Sequence, residues 1–141
     1  MASRRHLSRI AVMQTVFEMQ MREIEPEKAL AHNIAQHGGD DAVDPKFCAS
    51  LLKGILEHGT AINEAIQKHA PQWPLERMDT ITRCILMIGG YELLFAADAP
   101  PAVVMNEAIE VAKEFGTEEG AKFVNGVLNA VAHGSGKIPA K

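Results

Sequence analysis

The sequence is poor in cysteine, in aromatic residues and in long apolar runs, and each shortage excludes a class of protein. Phe, Trp and Tyr make up 5% of 141 residues, and the two cysteines, Cys48 and Cys84, are far apart. Lone cysteines inside helical patterns indicate buried intracellular thiols, although a disulfide between them is an open alternative. The longest apolar run, 84–97, contains Glu92 and is shorter than the roughly 18 residues that a membrane-spanning helix needs. We therefore expect a cytoplasmic protein with no signal peptide and no membrane partner.

The sequence also lacks the spacings that catalytic and metal sites require. Its histidines are scattered instead of clustering with cysteines or carboxylates at ligand spacing. Glycine pairs occur at 38–39 and 89–90, but neither belongs to a phosphate-binding fingerprint that follows a strand. The acids Glu107, Glu110 and Glu114 recur at helical spacing, which indicates a solvated helix face rather than paired catalytic carboxylates. The sequence therefore predicts no catalytic residue, no metal site and no cofactor, and so not an enzyme.

Apolar residues recur at intervals of three and four along most of the chain, which predicts an all-α fold. No strand pattern and no internal repeat accompanies this spacing. The predicted helices run from about Arg4 to Met21, from Pro26 to Gly38, from Pro45 to before Pro71, from the Asp79 cap through Phe95, from Pro101 to Gly116, and from the Thr117 cap to His133.

Several local features are also predicted. Glycine inside a helix costs about 1 kcal/mol relative to alanine, so we expect another helix to approach closely at Gly89-Gly90 and at Gly126. Trp73 is expected to pin the connector 71–78 onto the core, and the segment 39–43 to be a polar, mobile loop. Phe95 and Phe115 continue the inward apolar stripes of their helices.

Charge is distributed unevenly. Residues 1–17 carry Arg4, Arg5 and Arg9 and no acid, which leaves −7 for the remainder of a chain whose net charge is −4. Arg5 and Arg9 are four residues apart and should share one side of the exposed helix start. Cations there oppose the helix dipole, so a bound anion would be favoured, although a solvated helix start is the simpler interpretation of the arginines alone.

RNA is the anion that the accompanying residues indicate. Phosphates bind arginine and lysine, while unpaired bases stack on flat side chains and hydrogen-bond with amides. The predicted RNA-binding residues are Arg4, Arg5, His6, Arg9, Gln14 and Phe17 of the first helix, with Lys122, Phe123 and Asn125 of the last.

Blocks of sequence in a fixed order resemble a known family. They are Arg5, Arg9, Gln14 and Phe17 in the first helix, Tyr-Glu-Leu-Leu at 91–94, Asp98-x-Pro100, Val-x-Asn-Glu-Ala-Ile-Glu-x-Ala-Lys-x-Phe-Gly at 104–116, and Lys-Phe-Val-Asn-Gly-Val-Leu at 122–128. This pattern resembles the NusB family of transcription antitermination factors. Phe17 stands where a tyrosine is common in that family.

The resemblance implies a compact bundle of about six to seven helices arranged as two three-helix halves. It implies one RNA-binding domain over 1–141, with an N-terminal half of about 1–72, a C-terminal half of about 73–133 and a frayed tail at 134–141. It also implies binding of boxA RNA in ribosomal RNA transcripts together with ribosomal protein S-ten (NusE). Through that complex the protein would act with RNA polymerase and other Nus factors in processive rRNA transcription and ribosome biogenesis.

The match places the RNA-binding residues named above where the family meets RNA. It implies a partner-protein surface around Arg83, Met87, Glu107 and Glu110. Two alternatives stay open at this point: a helical accessory module of an rRNA methyltransferase, and a structural homodimer that uses the second apolar face of the first helix.

Overall fold

The structure, a computed structural model, describes residues 3–96 and 98–134, apart from the side chain of Leu75. These residues form six α-helices and two short 3-10 turns and contain no strand, which confirms the predicted all-α fold. Within them, no helix has the length and apolar character of a membrane span. The helices are α1 (Arg4–Met21), α2 (Pro26–Gln36), α3 (Pro45–Lys68), α4 (Thr80–Leu94), α5 (Pro101–Phe115) and α6 (Glu118–Gly134), and the 3-10 turns are Gly39–Asp41 and Leu75–Arg77.

Helix starts are set by polar caps that can be recognised in the sequence. At four of them a side-chain oxygen accepts a hydrogen bond from the backbone N–H three residues later, at 2.9–3.1 Å. Such a bond satisfies one of the amide groups that a helix leaves unpaired at its first turn. The predicted caps Asp44, Asp79 and Thr117 are confirmed, and Ser3 is a fourth.

The chain divides into two compact units, the first ending at Lys53 and the second beginning at Gly54. In the first unit α1 packs beside α2. Asn33 of α2 is buried and donates hydrogen bonds to Thr15 Oγ1 at 3.0 Å and Glu18 Oε1 at 2.9 Å, so the polar group that α2 buries is satisfied.

The segment 39–43 was predicted to be a polar, mobile loop, but it is more regular and more anchored than an open loop. Its first residues form a 3-10 turn, and Val43 is fully buried. Arg4 Nη2 donates to the carbonyl of Val43 at 2.7 Å and to that of Asp40 at 3.1 Å. The difference arises because the sequence of the segment is polar, whereas its anchors are one valine and an arginine far away in the chain.

In the second unit α4 packs against α5 and α6, which also pack on each other. Most of α4 is buried. A Cβ on Gly89 would lie 2.7 Å from Leu128 Cδ1, and one on Gly90 would lie 3.0 Å from Ile62 Cγ2. The predicted close approach at this glycine pair is therefore confirmed.

Other predictions for the second unit are wrong, and all concern residues that face solvent. Trp73 is 52% exposed, and Phe95 and Phe115 are exposed as well. The two phenylalanines lie at helix ends, where the apolar spacing continues although the side chain has left the core. A Cβ on Gly126 would meet no atom within 4 Å, so no described helix approaches there.

Candidate nucleic-acid interface

The predicted RNA-binding residues fall in two patches, one in each unit. The α1 patch consists of Arg4, Arg5, His6, Arg9, Gln14 and Phe17, and the α6 patch of Lys122, Phe123 and Asn125.

Arg4 is exposed but already holds part of the protein. The two hydrogen bonds from its Nη2 to the carbonyls of Asp40 and Val43 fasten the 3-10 segment to the start of α1. A guanidinium carries five N–H donors in a rigid fork, so this clamp leaves Nε and Nη1 for an anion. Arg4 therefore combines a structural role with a possible phosphate contact.

Arg5 and Arg9 flank a ring that the sequence analysis missed. The Arg5 Cζ lies 4.1 Å from the centroid of the Phe47 ring, and the Arg9 Cζ lies 5.1 Å from it. Both distances are within the roughly 6 Å over which a cation is attracted to an aromatic face. Because the arginines are one helical turn apart, a single ring from the start of α3 can orient both. In the sequence, this contact could have been suspected from the position of Phe47, which lies in the first turn of the helix that Asp44 caps.

Arg5 and Arg9 differ in their exposure to solvent. Arg5 is exposed and lies 3.7 Å from Asp44 Oδ2, an ion pair near the surface that contributes at most about 1 kcal/mol. Arg9 is only 5% exposed, so the prediction that it lies at an exposed helix end is wrong. The reason is its place in the second turn of α1, beside the buried Phe47, which is 8% exposed.

Ser8 fixes the backbone beneath this patch and was also missed. Its buried Oγ donates to the Arg4 carbonyl at 2.6 Å and accepts from the backbone N–H of Asp44 at 2.8 Å. The Cys48 thiol lies 3.7 Å from the Ser8 carbonyl, and burial raises the pKa of this thiol. These bonds join α1 to the start of α3, which holds the arginines and Phe47 in register.

The remaining residues of the α1 patch are partly buried. His6, Gln14 and Phe17 are each half-buried. Gln14 Oε1 lies 2.8 Å from His37 Nε2. An amide oxygen only accepts, so in this arrangement His37 carries its proton on Nε2. The bond orients the Gln14 carboxamide and leaves its NH2 group as a donor.

The α6 patch is more open. Lys122 and Asn125 are exposed, and Phe123 is half-buried. The Phe123 ring meets Trp73 with centroids 6.3 Å apart and planes at 84°, an edge-to-face arrangement. Lys122 and Gly126 are one turn apart and share a face of α6. This face presents a cation, an amide and a glycine to solvent.

The predicted partner-protein residues are less uniform. Glu110 is exposed, Arg83 and Glu107 are half-buried, and Met87 is only 9% exposed. Met87 belongs to the buried side of α4 and offers little surface to a partner. The assignment of this surface stays a prediction.

The comparisons with known proteins agree with the resemblance found in the sequence. A family model described as the NusB family matches residues 6–133. The chain belongs to the NusB family. Two curated relatives are both named "Transcription antitermination protein NusB". The one from Bacillus licheniformis is 39% identical over 128 residues, which is 91% of this chain and 95% of the relative. The one from Nitratiruptor sp. is 41% identical over 91% of each chain.

Solved structures of the NusB family share the fold. NusB from T. maritima superposes with a TM-score of 0.82 at 33% identity, covering 94% of this chain and 92% of that one. A crystal structure of antitermination factors NusB and NusE in complex with dsRNA gives a TM-score of 0.80 over 92% of this chain and 96% of that one, and at 22% identity it shows the fold alone. NusB proteins are non-enzymatic transcription antitermination factors, which confirms the prediction that the chain is not an enzyme.

Proposed function

We propose that this protein binds boxA RNA of ribosomal RNA transcripts together with ribosomal protein S-ten (NusE). The observation that carries the proposal is that the predicted RNA-binding residues of each helix include a cation, an aromatic ring and a carboxamide. In the α1 patch these are Arg5, Phe17 and Gln14. In the α6 patch they are Lys122, Phe123 and Asn125. Unpaired RNA offers the matching groups, namely phosphates, base faces and base edges.

The residues have separate roles in this proposal. Arg4, Arg5 and Lys122 are exposed and neutralise phosphates, releasing counterions from the RNA. Arg9 is buried beside Phe47 and acts mainly by holding the ring against which Arg5 rests. Gln14 and Asn125 present amide groups to base edges. A solved complex of NusB, NusE and dsRNA has this fold, which supports such a use of it.

The partner protein is expected to meet the acidic part of the chain. Outside residues 1–17 the net charge is −7, in a chain of −4 overall. A basic ribosomal protein complements that charge, and complementary charge accelerates association more than it strengthens the final complex. The surface around Arg83, Glu107 and Glu110 is the proposed contact. Assembly with RNA polymerase and other Nus factors follows from the same complex.

A titration of labelled boxA RNA tests the proposal directly. Fluorescence anisotropy is measured with and without NusE at several salt concentrations, beside an RNA of scrambled sequence. We expect saturable binding that weakens as salt rises, and tighter binding when NusE is present. Binding that is absent at low salt, or equal for the scrambled RNA with NusE present, would reject boxA recognition. Light scattering of the free protein tests the alternative of a structural homodimer, which would form a stable dimer in the absence of RNA and NusE.

A further inference from the structure

The single tryptophan of the sequence has no role in the function proposed so far. Trp73 lies in the connector between α3 and α4 and is 52% exposed. One exposed apolar side chain is ordinary on a protein surface. Trp73 differs from other exposed apolar residues in two respects. Its backbone is held by hydrogen bonds, and its ring lies beside Phe123 of the α6 patch.

The turn that carries Trp73 is fixed by hydrogen bonds. Gln67 Nε2 donates to the carbonyls of Ala70 and Trp73, both at 2.9 Å. The Trp73 backbone N–H donates to the Ala70 carbonyl at 3.1 Å. One glutamine from the last turn of α3 thus ties both ends of the turn. The indole is presented on a pre-organised support, which lowers the entropy that a ligand would lose by ordering it.

The ring itself lies against Phe123 of α6. Its edge-to-face contact with Phe123, at 6.3 Å and 84°, orients the indole while about half of the residue stays open to solvent. Lys122 directly precedes Phe123 on α6 and is exposed. A flat open ring beside a cation is the arrangement by which proteins hold unpaired nucleotides, with the base on the ring and the phosphate near the charge.

We infer that Trp73 is a nucleobase-stacking residue of the RNA site. An unpaired base of the bound strand lies on the open part of the indole, and Lys122 neutralises a phosphate of the same strand. This inference rests on the proposed function and extends it, because it gives the α6 patch a second ring and lengthens the RNA path toward the connector. Lys122 gives this place an exposed cation next to Phe123, which suits a phosphate of the bound strand.

The protein provides its own probe for this contact. With one tryptophan in the chain, fluorescence excited selectively at tryptophan reports on Trp73 alone. Unlabelled boxA RNA is titrated while fluorescence is recorded, and labelled RNA is followed by anisotropy in parallel. We expect quenching that saturates at the RNA concentration where the anisotropy also saturates.

Affinity measurements complete the test. Trp73→Ala should weaken RNA binding about 10-fold without changing its salt slope, whereas Trp73→Phe should stay within about 3-fold of wild type. Lys122→Ala should instead reduce the salt slope by about 0.7, the value for one phosphate contact on a single strand. Phe95→Ala is the matched control, because Phe95 is another exposed ring of this unit, stacked on His58 with centroids 4.0 Å apart. It should leave RNA affinity unchanged.

The outcomes are distinguishable. RNA that binds by anisotropy without quenching, with equal affinity for Trp73→Ala, overturns the inference and leaves the proposed function standing. RNA that does not bind at all overturns both. Quenching by NusE alone, with loss of NusE affinity in Trp73→Ala, overturns the inference in favour of a protein contact. Should Trp73→Ala unfold in circular dichroism, Trp73→Phe and the fluorescence of the wild type still decide.

Discussion

The α1 patch and the α6 patch differ in how firmly the protein holds their side chains. In the α1 patch Arg4 is bonded to two backbone carbonyls, and Arg5 and Arg9 flank the Phe47 ring. In the α6 patch Lys122 extends from an exposed helix face. A side chain that is already ordered loses less entropy on binding, and each flexible one that becomes immobilised costs about 0.5–1.5 kcal/mol.

The two patches therefore suit different tasks. Held guanidinium groups keep a fixed spacing, so they suit phosphates, which recur at a regular distance along a strand. Open lysine and asparagine side chains can adjust to the particular base that reaches them. We therefore expect the α1 patch to set affinity and the α6 patch to contribute more to discrimination among sequences.

The largest effect on stability and RNA affinity is expected when the Phe47 ring beside the α1 patch is removed. Phe47→Ala removes most of a buried side chain and should lower the free energy of unfolding by about 3–5 kcal/mol, measured by urea denaturation. RNA affinity should fall as well, because Arg5 and Arg9 lose the face that orients them. Phe47→Leu is the control, since it fills the site without an aromatic face. If Phe47→Leu binds RNA as wild type does, the ring serves packing alone.

The two thiols, one in each unit, give a second test of burial. Burial raises the pKa of Cys84 from its ordinary value of 9.0 to about 12 and also raises that of Cys48. The native state therefore keeps the Cys84 proton where the unfolded chain would release it. This contribution to stability is complete below about pH 9 and is lost as the pH rises from 9 toward 12.

A thiol reagent checks both sites. At pH 8 we expect Ellman's reagent to react slowly with the native protein and to modify both cysteines at once when denaturant is added, because a protonated buried thiol is a poor nucleophile. The variant Cys84→Ser identifies which thiol reacts. Immediate reaction of Cys48 in the native protein would contradict the tight packing of Ser8 and Cys48 beneath the α1 patch.

Removing one cation from each patch tests whether the α1 patch contributes more to RNA affinity than the α6 patch. Arg5→Ala and Lys122→Ala should each lower the salt slope of RNA binding by about 0.7. Arg5→Ala should cost more affinity, about 10-fold, because its charge is pre-positioned over Phe47 at 4.1 Å. Lys28→Ala is the control, since it removes an exposed cation that pairs with Glu25 at 3.2 Å on α2. A larger loss from Lys122→Ala than from Arg5→Ala would reverse the proposed division of roles.

The features that could be predicted from sequence are the ones encoded locally. Helix starts were predicted because a cap such as Asp79 lies next to the residues that it caps. The Phe47 ring between two arginines could not be predicted, since it requires knowing which helices meet. The inward position predicted for Phe95 at the end of its helix was wrong for a related reason. The apolar spacing reaches Phe95, but the core does not extend to it. The apolar spacing gave the correct all-α class, whereas the surroundings of the predicted RNA-binding residues depend on tertiary contacts.

The smallest effect concerns glycines that look alike in the sequence and differ in the structure. Gly89→Ala would place a methyl group 2.7 Å from Leu128 Cδ1 and should destabilise the protein. Gly126→Ala meets open space within a helix and should raise the free energy of unfolding by about 0.5–1 kcal/mol. Because Gly126 shares a face of α6 with Lys122, the added methyl should also lower RNA affinity by about 3-fold. Stabilisation with unchanged RNA affinity would mean that the bound strand does not cross this face of α6.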